Sequence, residues 1–196
     1  MTHVLAICGS LRDESATRVA LSVALEEAAS TGASTDLLDL RPLDLPPLDA
    51  DRDADEQGDG GRLLAAVDDA DALLLGTPVY HGSYSGVLKN ALDYCGFDEF
   101  EGKTVGLLGV AGGSFPVTAL DHLRSVCRAL NCWVLPHQAA LPRAYSHVVH
   151  ADGGGRITDE GFDERVRVLG RRVVEYASIE PDPTTFEAGE NVGARD

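Results

Sequence analysis

The chain opens with His3-Val4-Leu5-Ala6-Ile7-Cys8-Gly9-Ser10-Leu11-Arg12-Asp13-Glu14-Ser15-Ala16-Thr17, an apolar run that breaks at a glycine and passes into a helix-spaced segment. An unbroken apolar run of this length is the pattern of a strand covered on both faces, as in a parallel sheet. Behind it, Val19, Leu21, Val23, Ala24, Leu25 and Ala28 recur at helical spacing over Ala16–Ser30, and Gly32 stops them. The rest of the chain repeats this alternation. Thr35–Leu40, Ala72–Thr77, Thr104–Val110 and Cys132–Leu141 read as further strands, with helices at about 60–70, 84–95, 117–131 and 158–178. Five strands alternating with five helices predict an α/β fold, a doubly wound parallel sheet with helices on both faces. In such a sheet, ligands gather outside the carboxyl ends of the strands. Arg41–Gly61, rich in Pro, Asp and Gly, reads as a long acidic loop, and Glu180–Asp196 as a mobile tail following a domain over residues 1–179.

Composition narrows the classes. With 196 residues, 44% hydrophobic and 24% charged, the chain can bury one core, which excludes global disorder. No apolar stretch approaches 18 residues, so a transmembrane helix is not expected. Met1 leads directly into Val4–Ile7 without a basic segment or a cleavage signature, and a cytoplasmic protein is expected. Cys8, Cys95, Cys127 and Cys132 lack Cys-x-x-Cys spacing and read as reduced, partly buried thiols. The net charge of −16 repels phosphate backbones and argues against a nucleic-acid partner. Of 32 acidic residues 20 are Asp, and only Lys89 and Lys103 are lysines. The acids are spread along the chain, which reads as halophilic adaptation to a salty cytoplasm rather than as a docking face.

Three post-strand loops carry the chemistry. After the first strand, Ser10, Ser15 and Thr17 offer hydroxyls and Arg12 a guanidinium where a helix begins with unpaired N–H groups. That combination suits a phosphate monoester; the alternative is a helix merely capped by Ser15, with Arg12 on the surface. After the third strand, Pro78-Val79-Tyr80-His81-Gly82-Ser83 places two flat side chains in a rigid turn, suited to a planar heterocycle or else to a structural turn with Tyr80 on the core. After the fourth, Ala111-Gly112-Gly113-Ser114 can point bare amides at a ligand, or can be a flexible connection.

Gly9-Ser10-Leu11-Arg12 with Ser15 resembles the phosphate loop of the NAD(P)H-dependent FMN reductase family. Thr77–Ser83 followed by Gly86-Val87-Leu88-Lys89-Asn90-Ala91-Leu92-Asp93 resembles that family's second signature, and the glycine loop at 111–114 its third flavin-contacting loop. The resemblance covers about residues 3–142. It implies a flavodoxin-like five-stranded parallel sheet of order 2-1-3-4-5. It also implies an FMN-dependent oxidoreductase that moves hydride from NAD(P)H through flavin N5 to a flavin, quinone, azo or metal-oxyanion acceptor. By the same resemblance Ser10, Arg12, Ser15, Ala16 and Thr17 hold the FMN phosphate, and Pro78, Val79, Tyr80, His81 and Ser83 line the ribityl chain and isoalloxazine. Ala111, Gly112, Gly113 and Ser114 then stand near the pyrimidine edge, Tyr80 and His81 shape the hydride-transfer face, and the protein is a homodimer or homotetramer. Val79 stands where many members carry Glu, and Thr17 where many carry Asn.

Other chemistries find no support. Gly102-Lys103-Thr104 lacks the upstream glycine of a P-loop, because Phe97 stands there, and no Gly-x-Ser-x-Gly elbow occurs. His147 and His150 in a loop beside Asp152 make too small a set for a metal site, and none is expected. The competing function is a flavodoxin-like electron carrier without NAD(P)H reductase activity, which acidity alone would favour; a scaffold that has lost flavin is the third.

Overall fold

The computed structural model describes residues 1–151 and 154–178. Five parallel strands make the sheet: β1 His3–Cys8, β2 Ser34–Asp39, β3 Ala72–Pro78, β4 Thr104–Val110 and β5 Trp133–Leu141. Their order is β2-β1-β3-β4-β5, the flavodoxin-like arrangement expected. Every residue of β3 and β4 is buried, as central strands require, whereas edge strand β2 alternates. Successive side chains of β1 serve opposite faces. Val4, Ala6 and Cys8 join one core with α1 (Ala16–Ser30), while Leu5 and Ile7 join the other with α2 (Gly60–Asp68) and α3 (Gly86–Tyr94).

A one-turn helix α4 (Phe97–Phe100) buries Phe100, and α5 (Val117–Ala129) packs on the same face as α2 and α3. The end of α5 is a full Schellman motif: Asn131 is left-handed at φ 57, Asn131 N–H donates to Arg128 O at 3.1 Å and Cys132 N–H to Cys127 O at 3.0 Å. That motif brings its two flanking side chains together, and both are cysteines. A hydrogen bond with Cys127 that favours the neutral thiol, followed by burial, pushes the Cys132 thiol up. Cys95 is pushed up to about 12 by burial. All four cysteines are free thiols.

Four features differ from the sequence expectation, the first being the short helix α4 itself. The helices begin or end up to a few residues inside the expected spans. Between β5 and the last helix, α6 (Glu160–Glu175), lies an antiparallel hairpin, β6 (Val148–Ala151) and β7 (Gly154–Ile157), so His150 sits on a strand rather than in a loop. The acidic segment after β2 is anchored. Buried Gln57 accepts from Asp49 N–H at 2.9 Å and donates to Asp49 O at 2.9 Å, around a 3-10 turn at Ala54–Glu56. Asn90 donates to Leu45 O and Pro46 O at 3.0 Å each, and Tyr94 OH to Pro46 O at 2.7 Å. The expected tail at 180–196 lies outside the described residues. None of the described helices is long and apolar enough to cross a membrane.

Helices α1 and α6 are clasped by Glu27, which accepts from Arg171 Nη1 at 2.7 Å and Arg167 Nη1 at 3.4 Å. The Arg171 hydrogen bond, reinforced by Arg167, holds the Glu27 carboxyl below its ordinary range. A lowered native pKa stabilises the fold above the unfolded value of about 4.3, and that contribution is lost as pH falls through the native value. The Glu27→Gln variant should therefore unfold at lower urea concentration than the parent at neutral pH, and the two midpoints should converge in acid.

Candidate flavin site

The carboxyl ends of β1, β3 and β4 meet in a cavity of about 380 Å³, within the range of small-ligand sites. Its first wall is the β1–α1 turn. Ser10 and Thr17 are each only 2% exposed, both line the cavity, and neither hydroxyl has a partner among the described residues. Beside them stand Arg12 and Ala16, the latter the first residue of a helix whose opening N–H groups have no acceptor in the helix. Ser15 does not line the cavity. It is the N-cap, accepting from Arg18 N–H at 3.1 Å. Burial raises the Cys8 thiol beneath this turn against the lowering effect of the Ser10 N–H, so it is a neutral group rather than a nucleophile.

Ion pairs outside the cavity brace the same turn. Arg18 bonds Asp39 at 3.2 Å and the Asp13 carbonyl, while Arg41 bonds Asp13 at 2.8 Å and Asp39 at 3.4 Å. Arg12 is left to the cavity.

The second wall follows β3. Thr77 Oγ1 donates to Pro78 O at 2.8 Å and accepts from Ser85 N–H at 2.9 Å. Ser85 caps α3, accepting from Leu88 N–H at 3.2 Å, and its own hydroxyl donates to Gly9 O at 2.7 Å. Gly9 N–H donates in turn to Gly76 O at 2.8 Å. A methyl group at Gly9 would lie 2.7 Å from Leu88 Cβ, so the close approach of the two turns needs glycine. Pro78, Val79 and Tyr80 line the cavity. Tyr80 and Ser83 then exchange both backbone hydrogen bonds at 3.0 Å around His81 (φ 50) and Gly82 (φ 80), a type I′ turn. This places His81 at an exposed tip and turns Ser83 toward His122 Nδ1 at 3.1 Å; neither lines the cavity.

The third wall is Val110, Ala111 and Gly112, with bare backbone at Gly112. Gly113 and Ser114 lie just beyond the lining, where Gly113 O accepts from Arg143 N–H at 2.9 Å. The residues present fit FMN. The cavity-lining hydroxyls of Ser10 and Thr17, helix N–H groups and Arg12 suit a dianionic phosphate, and an aromatic ring and open backbone flank the remaining space.

Sequence reasoning missed Glu14, Ala144, Tyr145, Val148 and His150 in the lining, and Thr77 and Ser85 beneath it. Glu14 stood within the quoted turn. The others come from a short turn and hairpin without periodicity, or from contacts between distant segments. The two imidazoles once considered for a metal have separate surroundings. His147 packs edge-on to Phe162 at 5.0 Å between centroids, while His150 faces the cavity. Asp152 lies outside the described residues, and among those described no three potential ligands cluster.

Sheet order, crevice and anion cradle together define a flavodoxin-type nucleotide-binding fold. Residues 2–146 match the NADPH-dependent FMN reductase family, and the chain belongs to that family. It is 41% identical over 112 residues to an FMN-dependent NADPH-azoreductase of Staphylococcus aureus, covering 57% of this chain and 59% of that protein. The match thus spans about three fifths of the length of that curated relative. Among solved structures, a flavoenzyme NAD(P)H:(acceptor) oxidoreductase of Paracoccus denitrificans superposes with TM-score 0.73 at 24% identity, over 90% of this chain and 97% of that one. An apo NADH:FMN oxidoreductase superposes at 0.72 with 22% identity, over 92% of each chain. An archaeal flavodoxin reaches 0.61 at 12%, over 91% of this chain and all of that one.

The Ser85→Ala variant loses a helix cap and strands the buried Gly9 carbonyl. It should unfold about 2–4 kcal/mol more easily in urea titration.

Proposed function

We propose that this chain is an FMN-dependent oxidoreductase that takes electrons from NAD(P)H and passes them to a small planar or oxidising acceptor: a flavin, quinone, azo compound or metal oxyanion. The observation that carries this reading is that Ser10 and Thr17, each only 2% exposed, open with Arg12 into one cavity with Tyr80 and Gly112. Bound FMN would supply the hydride-accepting and hydride-donating ring, so the chain itself needs no acid–base pair. The residues bind and orient. Arg12, Ser10, Thr17 and the first N–H groups of α1 hold the phosphate, with Ser15 keeping that helix end in place. Pro78, Val79 and Tyr80 wall the ring system, and the amides at Ala111–Ser114 face the edge where negative charge gathers on reduction. His81 and Ser83 act at the outer side of the turn, where an entering substrate would pass.

Four free thiols favour a reducing, cytoplasmic setting. In this reading the protein is a homodimer or homotetramer, and exposed Leu11 and Phe115, in two of the site loops, are apolar surface that a second copy would cover. The acidity reflects a salty cytoplasm. At −16, self-repulsion should unfold the chain progressively as salt is removed, and Tm should rise as potassium chloride is restored. A Tm independent of salt would rule that adaptation out.

Arg12→Ala should weaken FMN binding by about 1.5–3 kcal/mol, read by flavin fluorescence titration. Anaerobic mixing of the FMN-loaded protein with NADPH should bleach the flavin absorbance. A stable yellow colour would favour the electron-carrier alternative, and a colourless protein that takes up no FMN would favour the scaffold.

A further inference from the structure

The turn that follows β5 has two features that the fold does not require. Arg143 sits in the left-handed region at φ 48, ψ 43, a conformation unfavourable for any residue with a Cβ and uncommon outside glycine and asparagine. The turn is held from both sides: Arg143 N–H donates to Gly113 O and Ala144 N–H to Ala111 O, each at 2.9 Å, and Ala144 is buried between them. The two side chains flanking that anchor remain outside. Tyr145 is 76% exposed and lines the mouth of the cavity. Arg143 is exposed, its Nε reaches only Ser114 Oγ at 3.4 Å, and it has no carboxylate partner among the described residues. Arg18, Arg41, Arg167, Arg171 and Arg172 hold carboxylates, whereas Arg143, fixed in position beside two cavity-lining residues, holds none among the described residues and is available for an external anion.

That anion is not the FMN phosphate. The phosphate cradle follows β1, and β5 lies three strands away across the sheet, about 14 Å at ordinary strand spacing. Arg143 also stands outside the cavity lining, next in sequence to Ala144 and Tyr145, which line it. The second ligand of the proposed reaction is a dinucleotide with flat rings and phosphates. A planar guanidinium grips a terminal phosphomonoester through two parallel N–H donors better than it grips a bridging pyrophosphate.

Resting on the reading that the cavity takes FMN and a nicotinamide donor, we propose that the Arg143–Tyr145 turn is the donor-specificity element of this protein. Arg143 pairs with the 2′-phosphomonoester that distinguishes NADPH from NADH, and the Tyr145 ring covers a flat base of either dinucleotide.

The test uses the FMN-loaded protein at fixed ionic strength. Equilibrium titration with NADP⁺ and NAD⁺ is read by calorimetry, beside KM for NADPH and NADH. Arg143→Gly is the informative variant, because glycine is at home at φ 48 and only the guanidinium is lost. It should raise the NADP⁺ Kd and the NADPH KM about tenfold or more, while the NAD⁺ Kd moves less than twofold. R143K should recover part of the loss, and Y145A should weaken both dinucleotides together. FMN affinity of R143G should stay within twofold of the parent. Equal weakening of NADP⁺ and NAD⁺ in R143G, or no change in either, would overturn the assignment of Arg143 alone. A large fall in FMN affinity would overturn it by moving the residue to the flavin. Failure of the parent protein to bind either dinucleotide while loaded with FMN would overturn this proposal together with the reading it rests on.

Discussion

The hydrogen bond from Ser85 Oγ to Gly9 O, 2.7 Å long and buried, is the contact on which the site depends. Chain direction divides at this point. From β1 the chain turns into α1 on one face of the sheet, and from the neighbouring β3 it turns into α3 on the other. Divergence of two adjacent connections opens a crevice at the switch in strand order. Without a tie, its two lips would be separate surface turns with orphan carbonyls. Ser85 ties them while also capping α3, and Thr77 holds Ser85 by its N–H at 2.9 Å. One hydroxyl therefore couples the β1–α1 turn, the turn after β3 and a helix start. Rigidity of this kind is what orientation of a bound cofactor requires.

Charge is arranged around the same crevice. Most of the net −16 is spread over the surface, where salt screens it beyond about 10 Å at 0.1 M. Close to the cradle the pairing is local. Arg18 and Arg41 neutralise Asp13 and Asp39 just behind the β1–α1 turn, which leaves Arg12 and the helix N–H groups without an internal competitor. Glu14, at the edge of the cavity, is the exception. An acidic protein can thus present a small positive site, because anion recognition at close range depends on the few dipoles and charges in contact rather than on the total.

Much of this was legible because it is periodic. The β1–turn–α1 segment announces strand and helix by spacing, and the five strands follow the same logic to within a residue or so at most ends. The site loops could be located because they must follow strands. What could not be read is direction. Tyr80-His81-Gly82-Ser83 signals a turn, yet only the positive φ of His81 and Gly82 shows that the turn is type I′ and carries His81 and Ser83 away from the cavity. The hairpin at Val148–Ile157 was missed because its strands are four residues each, one of them nearly all exposed and glycine-rich. Arg41–Gly61 looked like a free loop because its order comes from the amides of Gln57 and Asn90 and the Tyr94 hydroxyl, whose partners are backbone carbonyls with no sequence signature.

Backbone strain follows the same division between scaffold and site. Among the described residues three that are not glycine have positive φ, and they are not equivalent. Asn131 ends α5 in a Schellman motif, where an asparagine adopts the left-handed region at little cost. His81 takes the positive φ that the first central position of a type I′ turn requires, Arg143 has no such turn to account for it, and both stand at the carboxyl end of the sheet, on turns that flank the cavity. Strain of this kind persists only where neighbours over-determine it: the Tyr80–Ser83 bonds for His81, and the Gly113 and Ala111 carbonyls for Arg143. Relaxed packing carries the sheet and helices, and these two left-handed residues stand in turns beside the cavity.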